Sequence, residues 1–95
     1  MTVRVEWDDR KAKSNLLKHD VSFEEAETVL RDPFIAVAPD PDHSESEGRE
    51  IAAGLSCYRR LLLLSFIQRD DSIRIISARK LTANERRLYE EEEFP

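Results

Sequence analysis

The chain has 95 residues, of which 37% are charged and 40% hydrophobic, and its formal net charge is −5. This length allows one domain, spanning residues 1–95, with one modest core, and the composition is that of a folded rather than a disordered protein. The single cysteine, Cys57, excludes an intrachain disulfide. The first residues lack an apolar signal core, and apolar runs such as Leu61–Leu64 are too short to span a bilayer, so we expect a cytoplasmic protein.

The charge is distributed unevenly along the chain. Residues 1–19 carry a net charge of +2 and residues 51–89 carry +5, whereas residues 20–50 carry −8 and residues 90–95 carry −4. A charged ligand responds to the local potential more than to the total charge, so the acidic total does not exclude a nucleic-acid ligand. The acidic segments fit either a solvated surface or a docking site for a basic partner.

A strand and a helix are predicted at the start of the chain. Apolar and charged residues alternate from Val3 to Trp7, which predicts a half-exposed strand. Asp8 is a suitable N-cap for a helix over residues 9–18. Helical spacing predicts one polar stripe, formed by Lys11, Asn15, Lys18 and His19. In this stripe Lys11 would contact a phosphate and His19 would transfer a proton. In the alternative interpretation Lys11 faces solvent and His19 stabilises the C-terminal end of the helix.

A second helix, a short strand and an acidic loop follow. Ser22 and Glu25 have the spacing of a capping box, and the apolar stripe after them predicts a helix that ends at Asp32-Pro33. Residues 34–38 predict a short strand. The loop over residues 40–47 contains carboxylates and a histidine, but its spacing matches no calcium loop, so we expect a solvated loop without a metal.

The second half of the chain predicts three more strands and a last helix. Strands are expected over residues 50–55, 59–69 and 73–79, and the second is apolar on both faces, which is typical of a central strand. Thr82 and Glu85 form a capping box that begins the helix. Short turns join the last four strands, so they predict an antiparallel four-stranded meander, and with helices on one side the domain is α+β.

The joint between the last strand and the last helix concentrates functional side chains. Alternation along the strand predicts that Arg79 lies on the same face as Ile73, Ile75 and Ser77, and that Arg74 lies opposite with Ile76 and Ala78. Glu85 and Tyr89 share one face of the helix. The basic residues around this corner are Arg79, Lys80, Arg86 and Arg87. Such a corner has the chemistry to hold a phosphodiester.

Several ordered motifs run along nearly the whole chain. They are Trp7-Asp8-x-x-Lys11-x-x-x-Asn15-x-x-Lys18-His19-x-Val21-Ser22-Phe23-Glu24-Glu25-Ala26, Asp32-Pro33, His43-Ser44-x-x-Glu47-x-Arg49, Gly54, Ile73-Arg74-Ile75-Ile76-Ser77-Ala78-Arg79, and Glu85-Arg86-x-x-Tyr89. Together they resemble the BrnT-type toxins, a family similar in fold to the RelE-type toxins. One departure is Asp20, where the family pattern usually has glycine; glycine suits a left-handed helix end better than aspartate.

The resemblance implies a ribonuclease toxin of a type II toxin–antitoxin system. It also implies a small neutralising antitoxin whose DNA-binding part is a ribbon-helix-helix dimer, so that DNA is reached only through the antitoxin. We expect cleavage of RNA without a metal or another cofactor: the 2′-hydroxyl attacks the adjacent phosphate and leaves a 2′,3′-cyclic phosphate.

This mechanism needs positive charge on the developing phosphorane, together with an acid and a base. Arg79 is the first candidate for the charge, with Arg49 and Lys11 in support, because a guanidinium can hold two phosphate oxygens. The candidates for acid or base are His19, His43, Glu85 and Tyr89. The candidates for contacts with the RNA backbone are Arg49, Arg59, Arg60, Arg86 and Arg87.

Each candidate also has a structural interpretation. Glu85 is accounted for by the capping box, Tyr89 by closure of the core, and Arg74 by pairing with a carboxylate. The remaining arginines fit equally well as surface charges or as contacts for an acidic antitoxin.

Two other functions fit the sequence. The chain would be an interaction module that acts through a repressor partner, without catalysis of its own. Alternatively it would bind DNA directly, but no helix-turn-helix pattern is present and the acidic balance argues against this interpretation.

Overall fold

The computed structural model describes residues 3–42 and 48–93, so His43 and the rest of the predicted acidic loop up to Glu47 lie outside the described residues. The order of elements is the predicted one: strand, two helices, four strands, helix. Their bounds are β1 Arg4–Trp7, α1 Asp9–His19, α2 Phe23–Val29, β2 Ala36–Pro39, β3 Arg49–Leu55, β4 Leu61–Arg69, β5 Ser72–Lys80 and α3 Ala83–Glu90. In this part of the chain no helix is long and apolar enough to cross a membrane.

The strands form one sheet in the order β1-β5-β4-β3-β2. Strands β2 to β5 make the predicted antiparallel meander, but β1 pairs parallel with β5, beginning at Arg4 opposite Ser72. The predicted meander is therefore only part of the sheet, which is mixed and has five strands rather than four antiparallel ones. Periodicity detected β1 as a strand, but it carries no information on a partner that lies more than sixty residues away.

Helices α1 and α2 cover one face of the sheet, which we call the helix face. Phe23, Ala26 and Val29 of α2 are fully buried against Leu64 and Ile75 of the central strands. The ring of Trp7 meets the ring of Phe23 edge to face at a centroid distance of 5.9 Å. This core accounts for the position of β1, because β1 lies beside β5 and places Trp7 over α2.

A β-bulge in β5 changes which residues share a face. Ser77 pairs with Ser65 and Ile75 pairs with Phe66, so Ile76 is an extra residue without a partner on β4. The alternation of side chains between the two faces of the sheet is interrupted at Ile76. Ile75 and Ala78 consequently both lie in the core on the helix face. The prediction that Arg74 and Arg79 lie on opposite faces was therefore wrong: with the bulge between them, both lie on the face opposite the core.

This second face, which we call the open face, is covered at one end by α3. Directly opposite residues define a row across it, from Arg79 through Leu63 and Ala53 to Ala36. Glu85 in the first turn of α3 binds Arg79, and the Tyr89 hydroxyl at its other end donates to the carbonyl of Phe34 at 3.2 Å. We therefore place α3 along this row, which explains why Ala53 is fully buried outside the main core. The expectation that all helices lie on one side of the sheet was wrong for α3.

The helix ends confirm most of the capping predictions. Asp8 accepts from the backbone of Arg10 and Lys11, and Thr82 and Glu85 form the complete capping box. Asp20 ends α1 in the left-handed conformation, with φ 58° and ψ 36°, in the place where glycine was expected. Only half of the box at Ser22 forms: its hydroxyl accepts from the Glu25 amide, but the Glu25 carboxylate is used elsewhere.

Helix α2 ends at Val29 rather than at the predicted Asp32. The Asp32 carboxylate instead accepts from the amides of Phe34 and Leu55, at 3.0 and 2.7 Å, and so joins the segment after α2 to the end of β3. A Cβ at Gly54 would lie 3.0 Å from Asp32 Oδ2 and 3.0 Å from a methyl group of Val29. The close approach of this segment to the sheet therefore favours glycine at position 54.

Candidate nucleic-acid interface

The end of the open face that α3 leaves uncovered contains a groove of about 390 Å³. We call it the cationic groove. Its described lining holds four basic side chains and one carboxylate. The lining residues are Glu6, Lys11, Arg49, Ile67, Arg69, Ser72, Arg74 and Ile76.

The sheet positions the groove through one row of paired residues. Glu6 on β1 lies beside Arg74 on β5, which lies opposite Ile67 on β4, which lies opposite Arg49 on β3. Adjacent strands are about 4.8 Å apart, so Arg49 and Arg74 stand roughly 10 Å apart with Ile67 between them. The apolar floor and the two flanking guanidinium groups make a surface that fits an extended anionic chain.

Further cations come from outside this row. Arg69 and Ser72 face each other at the β4–β5 turn, and Lys11 enters from the first turns of α1. Lys11 lies there because Asp8 caps α1 immediately after β1 and fixes where the helix begins. Four positive charges against one negative charge leave the lining with a net charge of +3, although the whole chain carries −5. Locally positive potential of this kind attracts phosphate groups.

The one carboxylate among the described lining residues belongs to Glu6. Its Oε2 accepts from Arg74 Nη1 at 2.8 Å, and its Oε1 lies 3.9 Å from Arg4 Nε. The side chains of Glu6 and Arg74 are 41% and 47% exposed, so both remain accessible to a ligand.

Arg79, the first candidate for phosphate binding, is engaged in an ion pair. Its two terminal nitrogens bind the two carboxylate oxygens of Glu85 at 2.7 and 3.0 Å, and Nη1 also donates to the carbonyl of Lys80. It lies roughly 15 Å from Arg74 along β5, at the end covered by α3. The arrangement makes Arg79 an anchor for α3 and separates it from the cationic groove.

The same ion pair fixes the protonation of Glu85. The hydrogen bonds from Arg79 are the largest cause that lowers the pKa of Glu85 to about 2, and the Thr82 amide adds to the effect. The pKa of Arg79 is raised by the same hydrogen bonds. At neutral pH Glu85 is therefore ionised and engaged on both oxygens, which makes it a poor proton acceptor.

We expect this pair to make folding stability depend on pH in the acid range. Because the pKa of Glu85 in the folded chain is about 2, below its ordinary value of 4.5, its contribution is complete above pH 4.5 and is lost as pH falls towards 2. Thermal unfolding followed by circular dichroism should show this loss in the wild type, and a smaller loss in Arg79→Ala. Arg87→Ala, which removes an exposed pair with Glu91, is the matched control and should keep the wild-type pH dependence.

Two further acid–base candidates, Tyr89 and His19, do not line the described part of the groove. The Tyr89 hydroxyl binds the carbonyl of Phe34, and burial, followed by the charge of Asp32, raises the pKa of Tyr89. His19 is the last residue of α1, is half-buried and does not line the groove.

The polar stripe predicted on α1 does not form a single surface. Asn15 is buried: its amide donates to the carbonyls of Val21 and Ala78 and accepts from the amide of Ala78. Lys11 lines the groove, whereas Lys18 is exposed near the other end of α1.

The arginines predicted to contact the RNA backbone are dispersed. Arg49 lines the groove, whereas Arg59 lies in the β3–β4 turn with φ 64°. Arg60 is bound to the buried Glu25. On α3, Arg86 is exposed and Arg87 binds Asn84 and Glu91. Of the ten candidates for catalysis or RNA binding that lie in the described part of the chain, Lys11 and Arg49 line the cationic groove.

Four polar members of the groove were not predicted as site residues: Glu6, Arg69, Ser72 and Arg74. Alternation in β1 shows that Glu6 points away from the core, but its neighbour depends on the parallel pairing with β5. Arg74 lies on the opposite face from Ile75, as predicted, but its place on the same face as Arg79 was not predicted, because nothing in the local sequence marks the bulge. Arg69 and Ser72 were recognised only as ends of a hairpin turn.

Comparison with known proteins identifies the family. Residues 7–85 match the family model for BrnT, the ribonuclease toxin of a type II toxin–antitoxin system. The fold is similar to the 1.1 Å crystal structure of the ribonuclease toxin BrnT from Brucella abortus, with a TM-score of 0.67 and 23% identity over 85% of this chain and 99% of that one. No curated protein matches the sequence significantly. Because the family model spans most of the chain, this protein belongs to the BrnT family of ribonuclease toxins of type II toxin–antitoxin systems.

Proposed function

We propose that the cationic groove is where this toxin binds and cleaves RNA, by attack of a 2′-hydroxyl on the adjacent phosphate and without a metal. The observation that carries the proposal is the row from Glu6 to Arg49, which places two guanidinium groups, a lysine and a carboxylate around an open, partly apolar floor.

The charges of the groove suit the electrostatic demands of this reaction. A phosphodiester carries one negative charge, and the phosphorane formed by attack carries two. Guanidinium groups held in place by the sheet stabilise the added charge without reorganising, which is the main source of rate enhancement in such sites. Arg49, Arg74 and Lys11 take this role, and Arg69 beside the β4–β5 turn binds a neighbouring phosphate.

Arg79 has a positioning role in this proposal. Its ion pair with Glu85 holds the start of α3, and α3 closes the far end of the open face. The RNA strand is thereby limited to the uncovered end of the sheet. Tyr89 contributes to the same closure from the other end of α3.

The proposal includes regulation by a cognate antitoxin in the cytoplasm. The antitoxin would neutralise the toxin and would contact DNA through a ribbon-helix-helix part, so that the toxin reaches DNA only within the complex. The family's toxin–antitoxin organisation supports the existence of this partner.

The test uses antitoxin-free protein and a defined RNA, with and without EDTA, followed by analysis of the new ends. We expect cleavage that survives EDTA and leaves 2′,3′-cyclic phosphate and 5′-hydroxyl ends. An RNA with a single 2′-deoxynucleotide at the cleaved position should resist cleavage there, because the nucleophile is missing.

Other outcomes of the test identify the alternatives. Cleavage abolished by EDTA would overturn the metal-free mechanism. Absence of cleavage by folded protein, both on free RNA and on translating ribosomes, would favour the interaction module that acts through a repressor partner.

A further inference from the structure

We propose that Glu6 is the general base of the reaction, accepting the proton of the attacking 2′-hydroxyl, and that Lys11 is the general acid for the leaving 5′-oxygen. This inference rests on the proposed ribonuclease function and assigns roles within the same groove. Among the described residues that line the groove, Glu6 provides the carboxylate and Lys11 the cation that can release a proton. Arginine side chains stay protonated in proteins, so Arg49, Arg69 and Arg74 can supply charge but not a proton.

The geometry leaves one oxygen of Glu6 available. Arg74 Nη1 donates to Oε2 at 2.8 Å and fixes the orientation of the carboxylate. Oε1 lies 3.9 Å from Arg4 Nε, which is beyond hydrogen-bond distance. The parallel register sets Glu6 beside Arg74 in the sheet, so the base is held by regular strands rather than by a loop. Oε1 can therefore accept a proton while Arg74 holds Oε2.

Arg74 on β5 binds Glu6, and Arg4 on β1 lies 3.9 Å from it. Lys11, Arg49 and Arg69 add positive charge to the same groove, in which Arg49 stands three strands from Glu6. These cations can hold the phosphate next to the Glu6 carboxylate.

The nearby Asp8 is engaged elsewhere. Its Oδ1 accepts from the amides of Arg10 and Lys11, and these backbone hydrogen bonds, that of Lys11 first, lower the pKa of Asp8. Asp8 is thereby committed to the start of α1. Glu6 is the carboxylate that the β1 register brings to the groove.

The reaction is a transesterification of the phosphodiester. The 2′-O–H bond breaks and its proton goes to Glu6, while the 2′-oxygen forms a bond to phosphorus. The bond between phosphorus and the 5′-oxygen breaks, and that oxygen takes a proton from the ammonium group of Lys11. The products are a 2′,3′-cyclic phosphate and a 5′-hydroxyl. Exchange of protons with water then returns Glu6 to the carboxylate and Lys11 to the ammonium form.

The test compares Glu6→Gln and Lys11→Ala on ordinary RNA and on RNA with sulfur in place of the 5′-bridging oxygen. A sulfur leaving group needs no general acid, so on this substrate only the loss of the general base should lower the cleavage rate. Glutamine keeps the size of Glu6 and an oxygen for Arg74, but it cannot take the proton. We expect Glu6→Gln to lower the cleavage rate by about 10²- to 10⁴-fold on both substrates. Lys11→Ala should be slow on ordinary RNA and should recover most of its rate on the sulfur substrate.

The pH profile gives a second readout that a structural role would not change. With a carboxylate base, the wild-type rate should rise with pH across the acid range and then level off, because the ionised form of the base is the active one. Glu6→Gln should lose this acid limb, and Glu6→Asp should retain it at a reduced rate. The matched control is Glu91→Gln, which removes an exposed carboxylate just after α3 and should leave the profile unchanged.

Two results would overturn the inference without touching the ribonuclease proposal. One is a Glu6→Gln variant that folds and keeps both the cleavage rate of an active wild type and the acid limb of its pH profile. The other is a rate loss in Glu6→Gln that the sulfur substrate removes, since that identifies Glu6 as the acid instead. A folded wild type that cleaves no RNA would overturn both the proposed function and this assignment. The melting temperature and RNA affinity of each variant show whether it is folded and still binds.

Discussion

Replacing Arg60 with alanine is expected to destabilise the folded chain by about 3 to 5 kcal/mol, because it leaves a buried carboxylate without a countercharge. Glu25 is only 3% exposed, and Arg60 binds both of its oxygens, with Nε donating to Oε2 at 2.9 Å and Nη2 donating to Oε1. Ser56 Oγ donates to the same Oε2 at 2.7 Å. Arg60 Nη2 also reaches the carbonyl of Asp20, so one side chain joins α2, the β3–β4 turn and the end of α1.

Thermal unfolding measures this effect directly. For a domain of this size about 1 kcal/mol corresponds to roughly 4 to 8 °C, so the melting temperature of Arg60→Ala should fall by more than about 10 °C. The double variant Glu25→Gln with Arg60→Ala should recover part of the loss, because no charge is then left buried. A fall no larger than that of Arg59→Ala, which removes an exposed arginine from the neighbouring position, would contradict this account.

The pH dependence of the same variant has a definite sign. The hydrogen bond from Arg60 is the first cause that lowers the pKa of Glu25 below its ordinary value of 4.5. The pair therefore stabilises the folded chain fully above that value, and the contribution is lost as pH falls through the lower, folded-state pKa. The difference in stability between wild type and Arg60→Ala should shrink in acid, where Glu25 becomes protonated.

Arg60 also shows what the sequence can and cannot distinguish. An arginine beside another arginine fits an RNA contact, and nothing local reveals a buried carboxylate thirty-five residues earlier. Glu25 itself was assigned to a capping box because it lies three residues after Ser22. The hydroxyl of Ser22 does accept from the Glu25 amide, but the carboxylate gains more by pairing with Arg60 in the core.

Local signals predicted the elements well because their causes are local. Asp8, Ser22 and Thr82 begin helices since their side chains accept from amides two or three residues ahead. The strands of the meander follow from apolar patterns and short turns. The pairing of β1 with β5 and the position of α3 depend instead on contacts between distant segments, which leave no periodic signal.

The candidate site was only partly predictable for the same reason. Lys11 and Arg49 were selected for their chemistry, and both line the groove. Arg79 was selected first because it lies at a basic corner, yet Glu85 binds it through the cap of α3. The bulge at Ile76 brings Arg74 to the same face as Arg79, so one inserted residue changes which arginines share a surface.

Replacing Arg49 with alanine is expected to lower kcat/KM for RNA cleavage by about 10² to 10³, which is the usual cost of removing one fixed group that stabilises the developing charge. Arg49 stands in the row that crosses the groove, two strands from Arg74. The matched control is Arg86→Ala, which removes the same charge from an exposed position on α3 and should change cleavage little. The measurement is the cleavage rate of each variant on one defined RNA.

The dependence of RNA affinity on salt separates a phosphate contact from a general charge effect. Binding to single-stranded nucleic acid falls with salt at a slope of about 0.7 per phosphate contact, so Arg49→Ala should reduce the slope by about that amount. Arg86→Ala should leave the slope unchanged, since we place it outside the groove. Equal losses in the two variants would show that the RNA responds to net charge alone, and would remove the cationic groove as the binding site.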